Sequence, residues 1–358
     1  MSWKRLGLSA ALICSIAFSA LAEAMPRYEH IFIVVAENKG FDQVIGSPDA
    51  PKLNSLAKEY GLATKYYGVV HPSEGNYVAM LGGNTFGIHD DDAWFCERFT
   101  ISTSCPHAVL PGYSSHSIAA PSLMDQLAAA KLTWKGYFED LPAPGSLDVG
   151  SAGTPDTPAE LYASKHNAFI NFERVRKAPE LARKIVPLSQ LAADLAADAA
   201  PNFAHIVLNQ CNDMHGLWNP GPAGDCAHSA EPAATLIRRG DEAISAIVDR
   251  IVSAPLWRKA ANAAIVITWD EDGGSTAGEQ GCCGFEPGSA ANSGGGHVAT
   301  IVVTNHGPRH VEDAQPYNHY SLLRTTEEAF GIGEYLGLAG AGDKGVKAMA
   351  PLFEVRPK

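Results

Sequence analysis

Residues 263–274 read AAIVITWDEDGG, in which a near-continuous apolar run is followed at once by three acidic residues and two glycines. A short run rich in Ile and Val is typical of a strand buried on both faces of a sheet. Similar runs occupy residues 30–36, 203–209 and 298–304, and a weaker one occupies residues 63–70. The sequence therefore predicts a sheet whose strands are largely buried.

Helical patterns lie between these strands. Apolar residues recur there at a spacing of three to four positions, at residues 52–60, 121–131, 188–197, 232–253 and 320–330. Strands that alternate with helices predict an α/β sandwich. Two Gly-, Pro- and Ser-containing stretches, 142–158 and 273–296, are predicted to be long loops. Because the alternation resumes after each of them, we predict one domain over residues 25–358.

Composition and charge exclude several classes of protein. The chain has 358 residues, of which 46% are hydrophobic and 18% are charged, so disorder, collagen and coiled coil are excluded. Its formal charge is 27 minus 39, or −12, and no Lys/Arg-rich run stands out. This balance predicts no nucleic-acid partner. The scattered acidic residues suit a protein with local cation sites.

The first 24 residues resemble a secretory signal peptide. Lys4 and Arg5 precede an apolar run over residues 6–22, and Ala22-Glu23-Ala24 matches a small-x-small cleavage site. The alternative is a membrane anchor, but the apolar run is shorter than the ~20 residues that a span needs. We therefore predict a signal peptide over residues 1–24, a secreted or periplasmic protein, and no integral span after cleavage.

Six cysteines follow the predicted signal peptide, and an even number in an exported chain predicts disulfides. They are Cys96, Cys105, Cys211, Cys226, Cys282 and Cys283. A bond between the first two, and another between the next two, would each close a short surface loop. A bond between the adjacent last two would be strained. Zinc binding is the alternative, but the chain has no C-x2-C pair.

Polar residues follow four of the predicted strands at the point where each strand ends. They are Glu37 and Asn38, then His71 to Asn76, then Asn212 to His215, then Asp270 to Gly274. In an open α/β sheet, ligands bind beyond the carboxyl ends of the strands. These four segments are therefore expected to form one site.

The residue types in these segments point to a divalent cation. Carboxylates, amide oxygens and imidazoles are ligands for Mg, Mn, Ca or Zn. Each residue alone has an ordinary explanation: Glu37 could cap a helix, and Asp213 could hold a turn. Gathered at one edge, the carboxylates would repel one another without a cation. Together they favour a metal site.

Ser73 has two interpretations. It precedes an apolar stretch, residues 75–81, that can start a helix, and a helix amino end stabilises anionic oxygens, as a nucleophile requires. An N-cap serine is an equally common explanation. A metal can lower the pKa of a serine hydroxyl without a histidine base. No G-x-S-x-G motif supports a Ser-His-Asp hydrolase instead.

Two histidines complete the candidate site. His297 begins the strand at 298–304, so it reaches the same edge of the sheet only if that strand runs antiparallel. His166, in Lys165-His166-Asn167, lies in a predicted loop and could protonate a leaving group or contact phosphate. A plain surface histidine is the alternative.

These segments resemble the phosphoesterase family of secreted acid phosphatases and bacterial phospholipases C. The resemblance runs from about residue 31 to residue 331 and rests on VVAENKGFD, HPSEGNYVAMLGGNTFG, YFEDLP, KHNAFINF, NDMHG, ITWDEDGG and YNHYSLLRTTEEAFG. It is strongest toward the small exported acid phosphatases. The larger phospholipases often carry Arg near the position of His297, which also favours the phosphatase branch.

The resemblance implies an alkaline-phosphatase-like α/β/α sandwich with a central, mostly parallel sheet and at least one antiparallel strand. It implies that Ser73 is the nucleophile and that His166 or His215 assists the leaving group. The implied metal ligands are Glu37, Asn38, Ser73, Asp270 and Glu271, with Asp213, His215 and His297 at the place of a second metal. Some family members use equivalent histidines only to hold phosphate, so one or two divalent cations per chain are implied.

The implied reaction is hydrolysis of a phosphate monoester through a phosphoserine. A phosphoinositide, a nucleotide or another small phosphomonoester would be the substrate. Two alternatives stay open at this point. One is a phosphodiesterase of phospholipase C type, and the other is an exported protein that binds phosphate and metal without turnover.

Overall fold

One sheet runs through the part of the chain that the computed structural model describes, which is residues 25–153, 160–218, 226–228, 234–274 and 280–354. Its strands are β1 His30–Ala36, β2 Gly61–Tyr67, β3 Trp134–Phe138, β4 Ile185–Pro187, β5 Phe203–Val207, β6 Ala263–Trp269, β7 His297–Thr304, β8 Val311–Asp313 and β9 Tyr317–Asn318. The predicted signal peptide, residues 1–24, lies outside the described residues.

Helices connect the strands. The α-helices are α1 Phe41–Val44, α2 Pro51–Glu59, α3 Glu74–Gly82, α4 Leu123–Ala129, α5 Glu173–Arg176, α6 Leu181–Lys184, α7 Ser189–Ala196, α8 Ala234–Ser253, α9 Pro255–Lys259 and α10 His319–Phe330. Short 3-10 helices cover Ser164–His166, Ala168–Asn171, Gly337–Gly340, Gly342–Lys344 and Ala350–Leu352.

The strands lie in the order β4-β3-β5-β1-β6-β7-β2-β8, and β9 also pairs with β2. β7 is antiparallel to both of its neighbours, β6 and β2. The other described pairs are parallel. β7 reverses because the long loop after β6 returns to the edge that it left, so the chain re-enters the sheet without a crossover.

The centre of the sheet is the core of the molecule. β6 is buried at all seven positions, and β1 is buried at every position except His30. Strands buried on both faces require helices on both sides of the sheet. The helices accordingly pack in two groups: α3 contacts α4 and α10, whereas α8 contacts α2 and α9. The predicted α/β fold with a mostly parallel sheet and an antiparallel strand is confirmed.

The predicted elements agree with the structure for the long strands and helices, with small shifts. β5 ends at Val207, two residues before the predicted end, because the chain turns there into a loop. The weaker candidate at 63–70 is shifted to Gly61–Tyr67. Short strands such as β4, β8 and β9 were not predicted, because two or three residues are too few to show a periodicity.

The structure pairs Cys96 with Cys105 and Cys211 with Cys226, as the sequence predicts, and it also pairs Cys282 with Cys283. Across the described ranges, no helix has the length and hydropathy that a membrane span requires.

Candidate active site

The segment between β2 and α3 places Ser73 at the edge where the parallel strands end. The side chain of Asn76 holds this segment: its Oδ1 accepts the N–H groups of Val69 and Val70 at 2.8 and 3.2 Å. Gly68 allows the segment to approach the residue after β6 closely, because a Cβ at this position would lie 2.7 Å from the carbonyl oxygen of Asp270.

Ser73 is buried, and its hydroxyl faces acidic and amide side chains. Its Oγ lies 3.0 Å from Glu37 Oε2, 3.2 Å from Glu271 Oε1 and 3.4 Å from Asn38 Oδ1. Although Ser73 is the residue before α3, its side chain makes no cap hydrogen bond within the described structure. Ser73 therefore occupies the N-cap position of α3, but its hydroxyl does not cap the helix and is directed toward the strand ends.

The end of β1 supplies Glu37 and Asn38. Glu37 is fully buried; the hydroxyl of Tyr77 donates to its Oε1, and its own N–H donates to the Asp213 carbonyl at 2.8 Å. The N–H of Asn38 donates to Asp270 Oδ1 at 3.3 Å. These bonds join the ends of β1, β5 and β6 across the site.

The end of β6 supplies Asp270 and Glu271, both of which are buried. The carbonyl of Asp270 accepts a hydrogen bond from His319 Nε2, at the start of α10. Glu271 uses one carboxylate oxygen for Ser73 and the other for His71 Nδ1. These bonds fix the carbonyl of Asp270 and the carboxylate of Glu271.

His166 joins this group to the loop after β5. It is buried in the 3-10 helix Ser164–His166, so the surface-histidine interpretation is wrong. Its Nε2 lies 3.4 Å from Glu37 Oε2, and its Nδ1 lies 3.8 Å from Asp213 Oδ2. Its ring stacks on Tyr77 and lies 5.9 Å from the ring of His215. The N–H of His215 donates to Asp213 Oδ1 at 2.7 Å.

Burial and like charges raise the pKa values of the gathered carboxyl groups. Burial, and then the charges of Asp270 and Asp213, raise the pKa of Glu37 well above its ordinary value. Burial is also the first cause that raises the pKa values of Asp213, Asp270 and Glu271. These groups cannot all be ionised together unless a positive charge lies among them.

Several atoms of the group fit a bound cation. Asp213 Oδ2, Asp270 Oδ2 and His166 Nε2 are buried and find no hydrogen-bond partner among the described residues. The Asn38 amide oxygen faces Glu37 Oε2 and Asp270 Oδ1 at 2.8 and 3.2 Å, where only a reversed amide or a cation could satisfy all three oxygens. Hard oxygen donors of this kind suit a divalent cation.

A second group of potential ligands lies beside the site. Asp90 and Asp92 are buried, His107 is exposed, and their ligand atoms lie within 4.8 Å of one another. This compact candidate metal-binding group was not predicted from the sequence. His107 Nδ1 is hydrogen-bonded to Asp92 at 2.7 Å, which accounts for its position without a cation.

His297 lies at the expected edge of the sheet, because β7 is antiparallel as the sequence argument requires. Its Nε2, however, contacts the carbonyl oxygen of Thr64 at 2.9 Å, and its ring stacks on Phe41 at 4.5 Å. It lines the same cavity as Ser73. The ligand role of His297 stays a prediction, and with Nε2 at Thr64 it would fall to Nδ1.

The site opens into a cavity of about 1020 Å³. Several of the residues that line this cavity were not predicted from the sequence. Lys39, Asp91, Lys165 and Trp218 line it beside Ser73 and His215. Two sequence features could have pointed to them: Lys165 directly precedes His166, and Asp91 is the middle residue of three consecutive aspartates. No local pattern marks Tyr77, because it reaches Glu37 from one face of α3.

The fold is of the alkaline-phosphatase-like type. The sequence profile of the Phosphoesterase family matches residues 47–333, and the chain belongs to this family. The chain is 30% identical over 312 residues to the phosphatidylinositol-3-phosphatase of Mycobacterium tuberculosis (strain ATCC 25618 / H37Rv), covering 87% of this chain and 80% of that one.

Two further proteins extend the comparison. The acid phosphatase of Aspergillus fumigatus is 27% identical over 188 residues, which are 52% of this chain and 37% of the fungal one. This chain therefore matches less than half of the fungal protein. A solved structure of an alkaline phosphatase superfamily protein from Vibrio parahaemolyticus superposes with a TM-score of 0.50 at 13% identity, covering 86% of this chain and 67% of that one. At this identity the likeness shows the fold alone.

Proposed function

We propose that this protein is a metal-dependent phosphomonoesterase of acid-phosphatase type that acts through a phosphoserine at Ser73. The observation that carries the proposal is the buried hydroxyl of Ser73, which lies within 3.4 Å of Glu37, Asn38 and Glu271. A serine surrounded by cation-binding groups can act as a nucleophile, because a bound cation would lower the pKa of its hydroxyl and a histidine base would not be needed.

Glu37, Asn38, Asp270 and Glu271, with Ser73, would hold a divalent cation of the Mg, Mn, Ca or Zn type. Asp213 and His215 would hold a second cation or contact the phosphate, and His297 is the further candidate on that side. A bound cation supplies positive charge that lowers the pKa of the serine hydroxyl and offsets charge on the phosphate oxygens. The neighbouring carboxylates keep Ser73 oriented.

In the first step, Ser73 Oγ gives its proton to the adjacent carboxylate oxygen Glu37 Oε2 and attacks phosphorus in line, and the bond from phosphorus to the alcohol oxygen breaks. The departing alcohol takes a proton at the side of the cavity lined by His215, with His166 buried behind it. Burial lowers the pKa of His166 and brings that of His215 to about 3, so each imidazole is neutral at rest. Either ring can therefore give a proton to the departing alcohol only by relaying one that it receives from a bound water or from the substrate. Water then cleaves the phosphoserine and releases phosphate.

The names of the relatives support a monoester substrate. The mycobacterial and fungal proteins are a phosphatidylinositol-3-phosphatase and acid phosphatases. The test is a panel of phosphomonoesters and phosphodiesters, including p-nitrophenyl phosphate and phosphatidylinositol 3-phosphate, assayed after chelation and after metal is restored. We expect metal-dependent turnover of monoesters. Full activity in excess chelator, with no metal found in the sample, would exclude the metal mechanism.

A phosphodiesterase of phospholipase C type is the second candidate. A cavity of about 620 Å³ adjoins the catalytic cavity and shares Asp91, Lys165, His215 and Trp218 with it. The second ester group of a diester would have room there. A higher kcat/KM for diesters than for monoesters would favour this candidate.

A protein that binds phosphate and metal without turnover is the third candidate. A binding site has no need of a hydroxyl directed at the phosphorus position, so the placement of Ser73 disfavours it. Phosphate binding without hydrolysis of any ester in the panel would support it.

We also propose that the protein is exported as one phosphoesterase domain. The paired cysteines support an oxidising compartment, and the sequence of residues 1–24 supports a cleaved signal peptide. Amino-terminal sequencing of the protein recovered from the periplasm and the medium tests both points. An amino terminus at Met25 is expected, and uncleaved protein in the cytoplasm would contradict export.

A further inference from the structure

Lys165 lies at the junction of the two cavities described above. It lines the catalytic cavity of about 1020 Å³ and the adjoining one of about 620 Å³. Its Nζ donates to Asp91 Oδ2 at 2.8 Å, and its side chain is 21% exposed. An ammonium group has three N–H donors, so this bond leaves two donors for a ligand in the cavity.

Asp91 ties this ammonium group to the nucleophile's helix. Its Oδ2 accepts from Lys165, and its Oδ1 accepts the backbone N–H of Glu74, the residue after Ser73, at 3.1 Å. One carboxylate thus fixes the position of Lys165 relative to the start of α3. Because both bonds use the same short side chain, Lys165 cannot move far without breaking one of them.

The charge of Lys165 acts on three carboxyl groups of the candidate site. Burial raises the pKa values of Glu37, Asp213 and Glu271, and the positive charge of Lys165 opposes that rise. Lys39, the other lysine in the cavity lining, is nearly enclosed and donates to the carbonyl oxygen of Asn38 at 3.0 Å. Lys165 is therefore the more accessible of the two ammonium groups.

We infer that Lys165, positioned by Asp91, binds a non-bridging oxygen of the substrate phosphate and selects doubly charged monoesters over singly charged diesters. The inference rests on the proposed function. A monoester dianion gains more from an additional positive charge than a diester monoanion does.

The test compares Lys165→Gln with the wild type on p-nitrophenyl phosphate and bis(p-nitrophenyl) phosphate. A charge-assisted hydrogen bond to phosphate contributes about 10- to 100-fold in binding or rate. We expect kcat/KM for the monoester to fall by that factor and kcat/KM for the diester to change by less than about threefold. The affinity for inorganic phosphate, measured by calorimetry, should fall at least about tenfold.

Two further variants separate a contact with phosphate from a structural role. Lys165→Arg keeps the charge and should recover most of the monoester activity and of the phosphate affinity. Lys135 offers a matched control, because its Nζ pairs with Asp194 at 2.6 Å and its side chain is 23% exposed, outside the catalytic cavity. Lys135→Gln should leave the ratio of monoester to diester activity unchanged.

The inference is overturned if Lys165→Gln keeps wild-type phosphate affinity, or if it lowers monoester and diester activity equally. Equal losses accompanied by a lower Tm would identify Lys165 as a structural residue only. If the wild type hydrolyses no ester but binds phosphate through Lys165, the proposed function is wrong while the phosphate contact is supported. If the wild type is active and Lys165→Gln is unchanged, the inference alone is wrong.

Discussion

Replacing Ser73 by Ala tests the proposed nucleophile most directly, because the structure separates its cost in stability from its cost in activity. The hydroxyl makes no cap hydrogen bond within the described structure, so its contribution to stability is one buried donor shared among Glu37, Asn38 and Glu271. Losing that donor should lower the free energy of unfolding by about 1–2 kcal/mol. Losing a nucleophile should lower kcat on the order of 10⁴-fold or more.

The assay is hydrolysis of p-nitrophenyl phosphate beside urea unfolding, with Ser122→Ala as the control. Ser122 is also buried before a helix, but its side chain belongs to the capping box of α4. Its loss should cost about 1 kcal/mol of stability and no activity. In the wild type, acid quenching during turnover should trap a phosphorylated peptide that contains Ser73. The nucleophile assignment is refuted if Ser73→Ala keeps activity within tenfold of the wild type.

Three further predictions follow from the same contacts. Asp270→Asn removes the negative charge of a proposed metal ligand, so it should weaken metal affinity about tenfold or more, as measured by titrating the chelated protein; unchanged affinity would remove Asp270 from the proposed ligand set. His297→Ala should leave the metal content per chain unchanged, because among the described residues its ring contacts Thr64 and Phe41 rather than a carboxylate of the site; elemental analysis that shows one cation fewer would instead identify a second metal bound by His297. Burial raises the pKa of Glu327 from 4.5 to about 7, so the folded state keeps this proton to a higher pH than the unfolded chain does. The stability that results is present at low pH and is lost as the pH rises from about 4.5 through about 7. Glu327→Gln should flatten that decline in urea unfolding by up to about 1.4 kcal/mol per pH unit, whereas an unchanged slope would show that Glu327 is ionised in the fold.

The sheet could be predicted because each of its central strands is visible in the sequence as a run of apolar residues. β1 and β6 are near-continuous apolar runs, because strands buried on both faces have few polar positions that could obscure the pattern. The direction of β7 could be stated only as a condition, since an apolar run does not record which way it crosses a sheet. The short edge strands gave no signal, because their pairing depends on tertiary contacts with β2 and β3.

The candidate site divides in the same way. Glu37 and Asp270 follow strand ends directly, so parallel pairing brings them together without further information, whereas Asp213 lies in the loop after β5. Tyr77 and Lys165 could not be placed, because each reaches the site from a helix whose packing the sequence pattern does not fix. His166 was seen in the sequence, but only the structure shows that it lies between Glu37 and Asp213.

The arrangement of charges explains why the site needs so many supporting residues. Glu37, Asp213 and Asp270 lie at the ends of adjacent strands, where the fold removes water and so increases both their mutual repulsion and their attraction for a cation. Tyr77 and the backbone bonds between strand ends hold these carboxylates in place when repulsion would separate them. A cation bound among them would turn the same repulsion into affinity, and Lys165 would leave positive charge on the side from which a phosphate enters. The same buried carboxylates thus lower the stability of the fold and create the negative potential that would bind the cation of the proposed reaction.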